Sequence, residues 1–122
     1  MAKHVLLVED EPNIAEAMRY ILARDGWRVS THTDGTDAAQ VIRASAPDVV
    51  VLDVMLPGRS GYDILQELRA GETTRRLPVL MLTARSQARD RELAERYGAS
   101  DFLTKPFSNT EVLASVRALA GL

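Results

Sequence analysis

No cysteine occurs among the 122 residues, which excludes disulfides, thiolate metal sites and thiol nucleophiles. Such a chain suits a reducing compartment, and the cytoplasm is the expected location. No excess of one charge is present either: Lys+Arg total 15 and Asp+Glu 17, for a net charge of −2. There is thus no overall pull toward nucleic acid or an anionic membrane, and neither is an expected partner. Long apolar runs are also missing, the longest being about five residues against the roughly 20 that span a bilayer. Met1 to Val5 passes straight into a strand-like run without a signal-peptide pattern. Repeats, low-complexity tracts and linkers are absent as well. What remains is an ordinary globular balance, 46% hydrophobic and 26% charged, which predicts one compact domain over residues 1–122.

Two hydrophobic periods alternate along the chain. Unbroken apolar runs at Val5–Val8, Val49–Leu52 and Val79–Leu82 fit strands buried on both faces of a parallel sheet. Trp27–Thr31 and Ser100–Thr104 show weaker alternation and suit edge strands. Between the strands lie amphipathic stretches. Ile14, Met18, Ile21 and Leu22 share one helical face, and Asp25-Gly26 closes that helix. Further helices are predicted over Gly35–Ser45, Tyr62–Arg69 and Ser86–Tyr97, the last ending at Gly98. A fifth starts at Ser108 or Asn109, with Glu111 placed for a capping box and Val112, Val116 and Leu119 facing inward. Strand and helix alternate five times, which predicts a single doubly wound α/β domain, (βα)5, with a parallel five-stranded sheet.

The chemistry follows the strands. Glu9-Asp10-Glu11 comes after the first, Asp53 after the third, Thr83 after the fourth and Lys105 after the fifth. In a parallel sheet these ends share one edge, where open α/β sheets bind ligands. Crowded carboxylates call for a cation or a raised pKa. With oxygen ligands alone, and with neither His4 nor His32 expected at a strand end, the site favours Mg²⁺ or Mn²⁺ over zinc. A lysine and a hydroxyl beside such an ion suit a phosphoryl group, and a central carboxylate suits an aspartyl-phosphate nucleophile. Only Lys3 and Lys105 are lysines in this arginine-rich chain, so a compact point charge is favoured at position 105.

Glu9-Asp10, the Val51–Gly58 stretch with Gly61, Thr83-Ala84 and Lys105-Pro106-Phe107 together resemble the response-regulator receiver domain of two-component signalling, of the chemotaxis-receiver type. The resemblance covers nearly the whole chain and implies a flavodoxin-like sheet in the order 2-1-3-4-5. It implies that Asp53 accepts a phosphoryl group from a sensor histidine kinase or a phosphotransfer protein. Asp10, Asp53 and the backbone carbonyl of Met55 would ligate Mg²⁺, with Glu9 acting mainly through water. Lys105, Thr83 and Ala84 would contact the phosphoryl group, and the Lys105–Pro106 bond would be cis. Thr83 and Phe102 would form the switch, although Phe102 stands where many relatives have tyrosine and lacks a hydroxyl to anchor it. Met55 and Arg85 would flank the site and tune dephosphorylation. Such a domain is a self-catalysing phosphoacceptor with autodephosphorylation, not an enzyme acting on others.

The fourth helix, fifth strand and fifth helix would form the output face and pair two copies. Arg91, Asp101 and Glu111 fit that pairing, whereas Arg96 and Ser115 depart from it and Arg96 would face Arg117.

Each residue alone has a plainer reading. Asp53 suits a turn, Asp10 a helix cap, Thr83 a strand end, Phe102 the core and Lys105 the surface. Only their joint register speaks for chemistry. Among rival functions, a Mg²⁺-dependent aspartyl-phosphate phosphohydrolase of the haloacid-dehalogenase type needs Asp-x-Asp after the first strand, where this chain has Val8-Glu9-Asp10; Asp34-Gly35-Thr36 follows the wrong strand. A flavin or dinucleotide binder needs a Ser/Thr/Gly-rich or G-x-G-x-x-G loop there, and none exists. A docking receiver that is never phosphorylated has no need of the acids and Lys105.

Overall fold

A computed structural model describes residues 2–83 and 88–122. The chain runs β1 (His4–Val8), α1 (Pro12–Arg24), β2 (Arg28–His32), α2 (Ala38–Ser45), β3 (Val49–Asp53), α3 (Gly61–Ala70), β4 (Val79–Thr83), α4 (Ala88–Arg96), β5 (Asp101–Thr104) and α5 (Asn109–Leu119). The strands form one parallel sheet in the order β2-β1-β3-β4-β5.

Every residue of β1, β3 and β4 is buried, as their unbroken Val/Leu runs require of strands covered on both faces. The period of two then deals their side chains into separate layers. Leu6, Val8, Val50, Leu52, Val79 and Met81 pack with Ile42 of α2 and Ile64, Leu65 and Leu68 of α3. Val5, Leu7, Val49, Val51, Leu80 and Leu82 pack on the other face with Met18 and Leu22 of α1 and Val112 and Val116 of α5. Each fully buried Leu or Val contributes about 1.5–3 kcal/mol relative to exposure. α4 lies against the edge strand β5.

The expected capping box is formed: Ser108 Oγ accepts from Glu111 N–H at 3.1 Å, and the Glu111 carboxylate accepts from Ser108 N–H at 3.0 Å. Some boundaries differ from the sequence reading. β2 begins one residue later, because Trp27 N–H still bonds Leu22 O at 3.1 Å and belongs to the end of α1. It also runs on to His32, whose carbonyl accepts from Glu9 N–H at 3.0 Å. Neither histidine is therefore away from a strand end, contrary to expectation: His4 opens β1 and His32 closes β2. α2 starts at Ala38 rather than Gly35, since residues 34–36 form a turn in which Asp34 Oδ1 accepts from Thr36 N–H at 2.7 Å. The N-cap of α1 is Glu11, not Asp10, and makes no side-chain cap bond; Pro12 follows it and has no N–H to satisfy. The expected start of α4 at Ser86 lies outside the described residues.

Candidate phosphoacceptor site

The carboxyl ends of β1, β3 and β5 gather Glu9 and Asp10 just past β1, Asp53 as the last residue of β3, and Lys105 just past β5. Glu9 and Asp53 are buried at 1% and 2% exposure, while Asp10 is exposed. One carboxylate oxygen from each of the three lies within 4.8 Å of the others. Lys105 reaches into the same space from the far side of β4, with Nζ 3.1 Å from Asp53 Oδ2 and 3.1 Å from Glu9 Oε1. Its own backbone is fixed by a 2.7 Å bond from Lys105 N–H to Thr83 O. The Lys105–Pro106 peptide is cis, as the resemblance implies.

The electrostatics are those of an acid cluster held together by one cation. Burial pushes the Glu9 carboxyl up to about 7, and the Asp53 carboxylate beside it pushes in the same direction; the bond from Glu11 N–H and the Lys105 ammonium oppose both. Burial also works against the Lys105 charge, but bonds to Asp53 and Glu9 outweigh it and hold that ammonium above the usual lysine range. Glu9 Oε2 accepts from Glu11 N–H at 3.2 Å. Glu9 Oε1 is buried and accepts no well-aligned hydrogen bond; its ion contact with Lys105 is its compensation. A buried carboxylate oxygen without a hydrogen bond, in a cluster of three acids facing one ammonium, can take a hard divalent cation, so the donor set fits Mg²⁺ or Mn²⁺.

The loop after β3 completes one wall. Met55 N–H donates to Asp53 Oδ1 at 3.3 Å, and the Met55 side chain is 69% exposed beside the site. Gly61 is packed so tightly that an added Cβ would stand 2.2 Å from Asp53 O, which gives a steric reason for glycine at this motif position.

The two residues expected to form a switch lie on β4 and β5. Thr83 is buried, and its hydroxyl donates across to β5, toward Leu103 O at 3.4 Å and Thr104 Oγ1 at 3.5 Å. Phe102 is half-buried, with the Arg91 guanidinium carbon 5.1 Å from its ring centroid. That cation–π contact supplies an anchor of a different kind from the missing hydroxyl. Ala84 and Arg85 lie outside the described residues.

Sequence reasoning left Glu11 without a role. Its carboxylate comes within 3.9 Å of Lys105 Nζ and its N–H holds Glu9. Its place directly after Glu9-Asp10 was the available signal.

Comparison with known proteins identifies the family. The family model described as response regulator receiver domain matches residues 5–117. The probable transcriptional regulatory protein TcrX of Mycobacterium tuberculosis is 47% identical over 115 residues, which cover 94% of this chain and 48% of TcrX. The chain thus spans about half the length of that relative. A Chloroflexus aurantiacus chain described as a response regulator superposes with a TM-score of 0.94 at 32% identity, covering 100% of both chains. The receiver domain of the sensor histidine kinase PA1611 from Pseudomonas aeruginosa, which holds a magnesium ion in its active-site cleft, gives 0.90 at 33% identity, again over 100% of both. A match over nearly the whole chain, on the fold and strand order just described, makes this protein a member of the response-regulator receiver family.

Proposed function

We propose that Asp53 is the phosphoacceptor of this receiver, charged from a phosphohistidine on a sensor kinase or phosphotransfer protein. The observation that carries the reading is the joint approach of Lys105 Nζ to Asp53 and Glu9, each at 3.1 Å, among three convergent acids. An Asp53 carboxylate oxygen forms the new O–P bond while the N–P bond to the donor imidazole breaks, and the ring leaves with the electron pair. Asp10, Asp53, the Met55 carbonyl and Glu9 would hold Mg²⁺, which when bound supplies positive charge to the transferring phosphoryl oxygens. Lys105 exchanges its contact with the Asp53 carboxylate for one with the phosphoryl group. Ala84 and the Thr83 hydroxyl take up further oxygens, and Phe102 follows Thr83. Positioning and charge neutralisation account for the acceleration.

The same reading takes residues 1–122 as one receiver domain, placed in the cytoplasm, where the ATP that charges a histidine kinase is found. It also takes the α4–β5–α5 face as a weak homodimer surface. Arg117, which the sequence sets against Arg96, is already held by Asp25 at the end of α1, with Nη1 3.0 Å and 2.9 Å from its two carboxylate oxygens.

Incubation with acetyl phosphate and Mg²⁺ tests the assignment. One acid-labile phosphoryl group per chain is expected, abolished by Asp53→Asn. Full labelling of Asp53→Asn would overturn it.

A further inference from the structure

The Asp34-Gly35-Thr36 turn has no part in the chemistry above, yet it is built against the loop that carries Met55. Gly35 N–H donates to Pro57 O at 2.9 Å, and a Cβ on Gly35 would stand 2.3 Å from Arg59 O. From the opposite side Gly58, at φ +82°, leaves no room: a Cβ there would meet Thr36 Oγ1 at 2.1 Å and Asp34 Oδ1 at 2.8 Å. The Gly35 backbone therefore lies directly on the loop backbone, and the Asp34 and Thr36 side chains close over Gly58, each contact possible only where a side chain is missing. The turn keeps its shape through the Asp34 carboxylate, which accepts from Thr36 N–H at 2.7 Å.

The far end of the same loop is pinned as well. Gly61 N–H donates to Val54 O at 2.9 Å, and Ser60 Oγ accepts from Tyr62 N–H at 3.1 Å. Met55, between these anchors, is exposed. Its outer support comes from the contacts at Pro57, Gly58 and Arg59.

We propose that the Asp34-Gly35-Thr36 turn is a positioning element for the phosphoacceptor loop, holding the Met55 carbonyl where it can serve as a cation ligand. The inference rests on the reading of that site as Mg²⁺-binding. A neutral carbonyl on an exposed loop is a useful ligand only if the loop is already ordered, since otherwise the ordering entropy is charged against each binding event. The turn acts on metal affinity through another residue's backbone and touches neither phosphoryl group nor donor.

Calorimetric Mg²⁺ titration of the protein, with amide exchange at Met55, Leu56, Gly58 and Arg59, separates the possibilities. Asp34→Ala is expected to bind Mg²⁺ about tenfold more weakly, while Asp34→Asn, whose amide oxygen still accepts from Thr36, stays within about twofold of wild type. The Asp34→Ala protein should also exchange faster at Leu56, Gly58 and Arg59, and label at the wild-type rate once Mg²⁺ is saturating. Unchanged affinity in Asp34→Ala overturns the proposal. So does weaker binding without faster exchange, or an Asp34→Asn defect as large as that of Asp34→Ala, which would assign the effect to charge. Failure of the wild type to bind Mg²⁺ would instead defeat the underlying reading of the site.

Discussion

Lys105 Nζ lies 3.1 Å from Asp53 Oδ2, a contact between residues 52 positions apart in the chain. One strand, β4, separates the strands that carry them, so the lysine must reach over the end of β4 to meet the acid. Lys105 is therefore the counter-ion of the acid cluster before any phosphoryl group arrives.

Removing the ammonium separates the two functions of the site. Lys105→Ala should slow acetyl phosphate labelling roughly 100-fold, the usual scale for losing one electrostatic stabiliser of a developing charge. Mg²⁺ binding should be equal or tighter, because a competing cation has gone. Asp10→Asn should do the reverse, weakening Mg²⁺ about tenfold with labelling recovered at high Mg²⁺. Calorimetry is the suitable measurement, since Trp27 precedes β2 at the opposite edge of the sheet and is buried there. Wild-type labelling by Lys105→Ala would remove Lys105 from the mechanism.

Glu9 makes the metal-free protein sensitive to rising pH. Its carboxyl titrates at about 7 in the fold, against 4.5 ordinarily. Between those values the unfolded chain ionises while the folded one keeps its proton, so stability falls as pH climbs through that window. Melting in a chelator across pH 4.5 to 7.5 should show this loss in wild type relative to Glu9→Gln. Mg²⁺ affinity should rise over the same window as the proton leaves. Parallel melting curves for the two proteins would contradict the burial argument.

His4 acts with the opposite sign at the other edge of the sheet. Its Nδ1 lies 3.1 Å from Arg28 Nη2, and a guanidinium only donates, so Nδ1 is the acceptor. Nε2 then carries the proton and donates to Ser30 Oγ at 2.8 Å. Burial and the Arg28 charge lower the His4 pKa from 6.5, although Asp48 pulls it up. Stability from this neutral ring is present above pH 6.5 and declines as pH falls below it. His4→Gln should remove that decline. An unchanged acid limb in the variant would exclude His4 as its source.

Pairing through α4, β5 and α5 should be weak and improvable. Asp101 Oδ1 already accepts from its neighbour Phe102 N–H at 2.8 Å, and Arg91 covers the Phe102 ring. Ser115→Arg with Arg96→Glu supplies the base and the acid that the face lacks. A gain of about 1 kcal/mol in dimerisation is expected for exposed charges of this kind. Sedimentation of the phosphorylated protein measures it, and no gain would place dimerisation elsewhere.

The reactive edge was legible because short apolar runs mark strand ends sharply. Once Val5–Val8, Val49–Leu52 and Val79–Leu82 are strands, topology alone brings Glu9, Asp10, Asp53 and Thr83 to one edge. β5 follows less surely from its own pattern, yet Lys105 falls in place beside Thr83. The edge strand β2 has a half-exposed pattern, and there the reading slipped by one residue, which hid the position of His32. The contact of Gly35 with Pro57 leaves no hydrophobic period, because backbone meets backbone. Nor can a sequence indicate that the Thr83 hydroxyl faces β5, since that depends on a rotamer.

Gly61 has a consequence for how this chain can change over generations. Its missing methyl group is what keeps the Asp53 carbonyl in place, with 2.2 Å available where a carbon atom would have to stand. Many surface letters on the helices can change at little cost, and core letters can trade volume with their neighbours. At this position every alternative is bulkier and would meet backbone, so an undisturbed Asp53 loop restricts the chain here to its smallest residue.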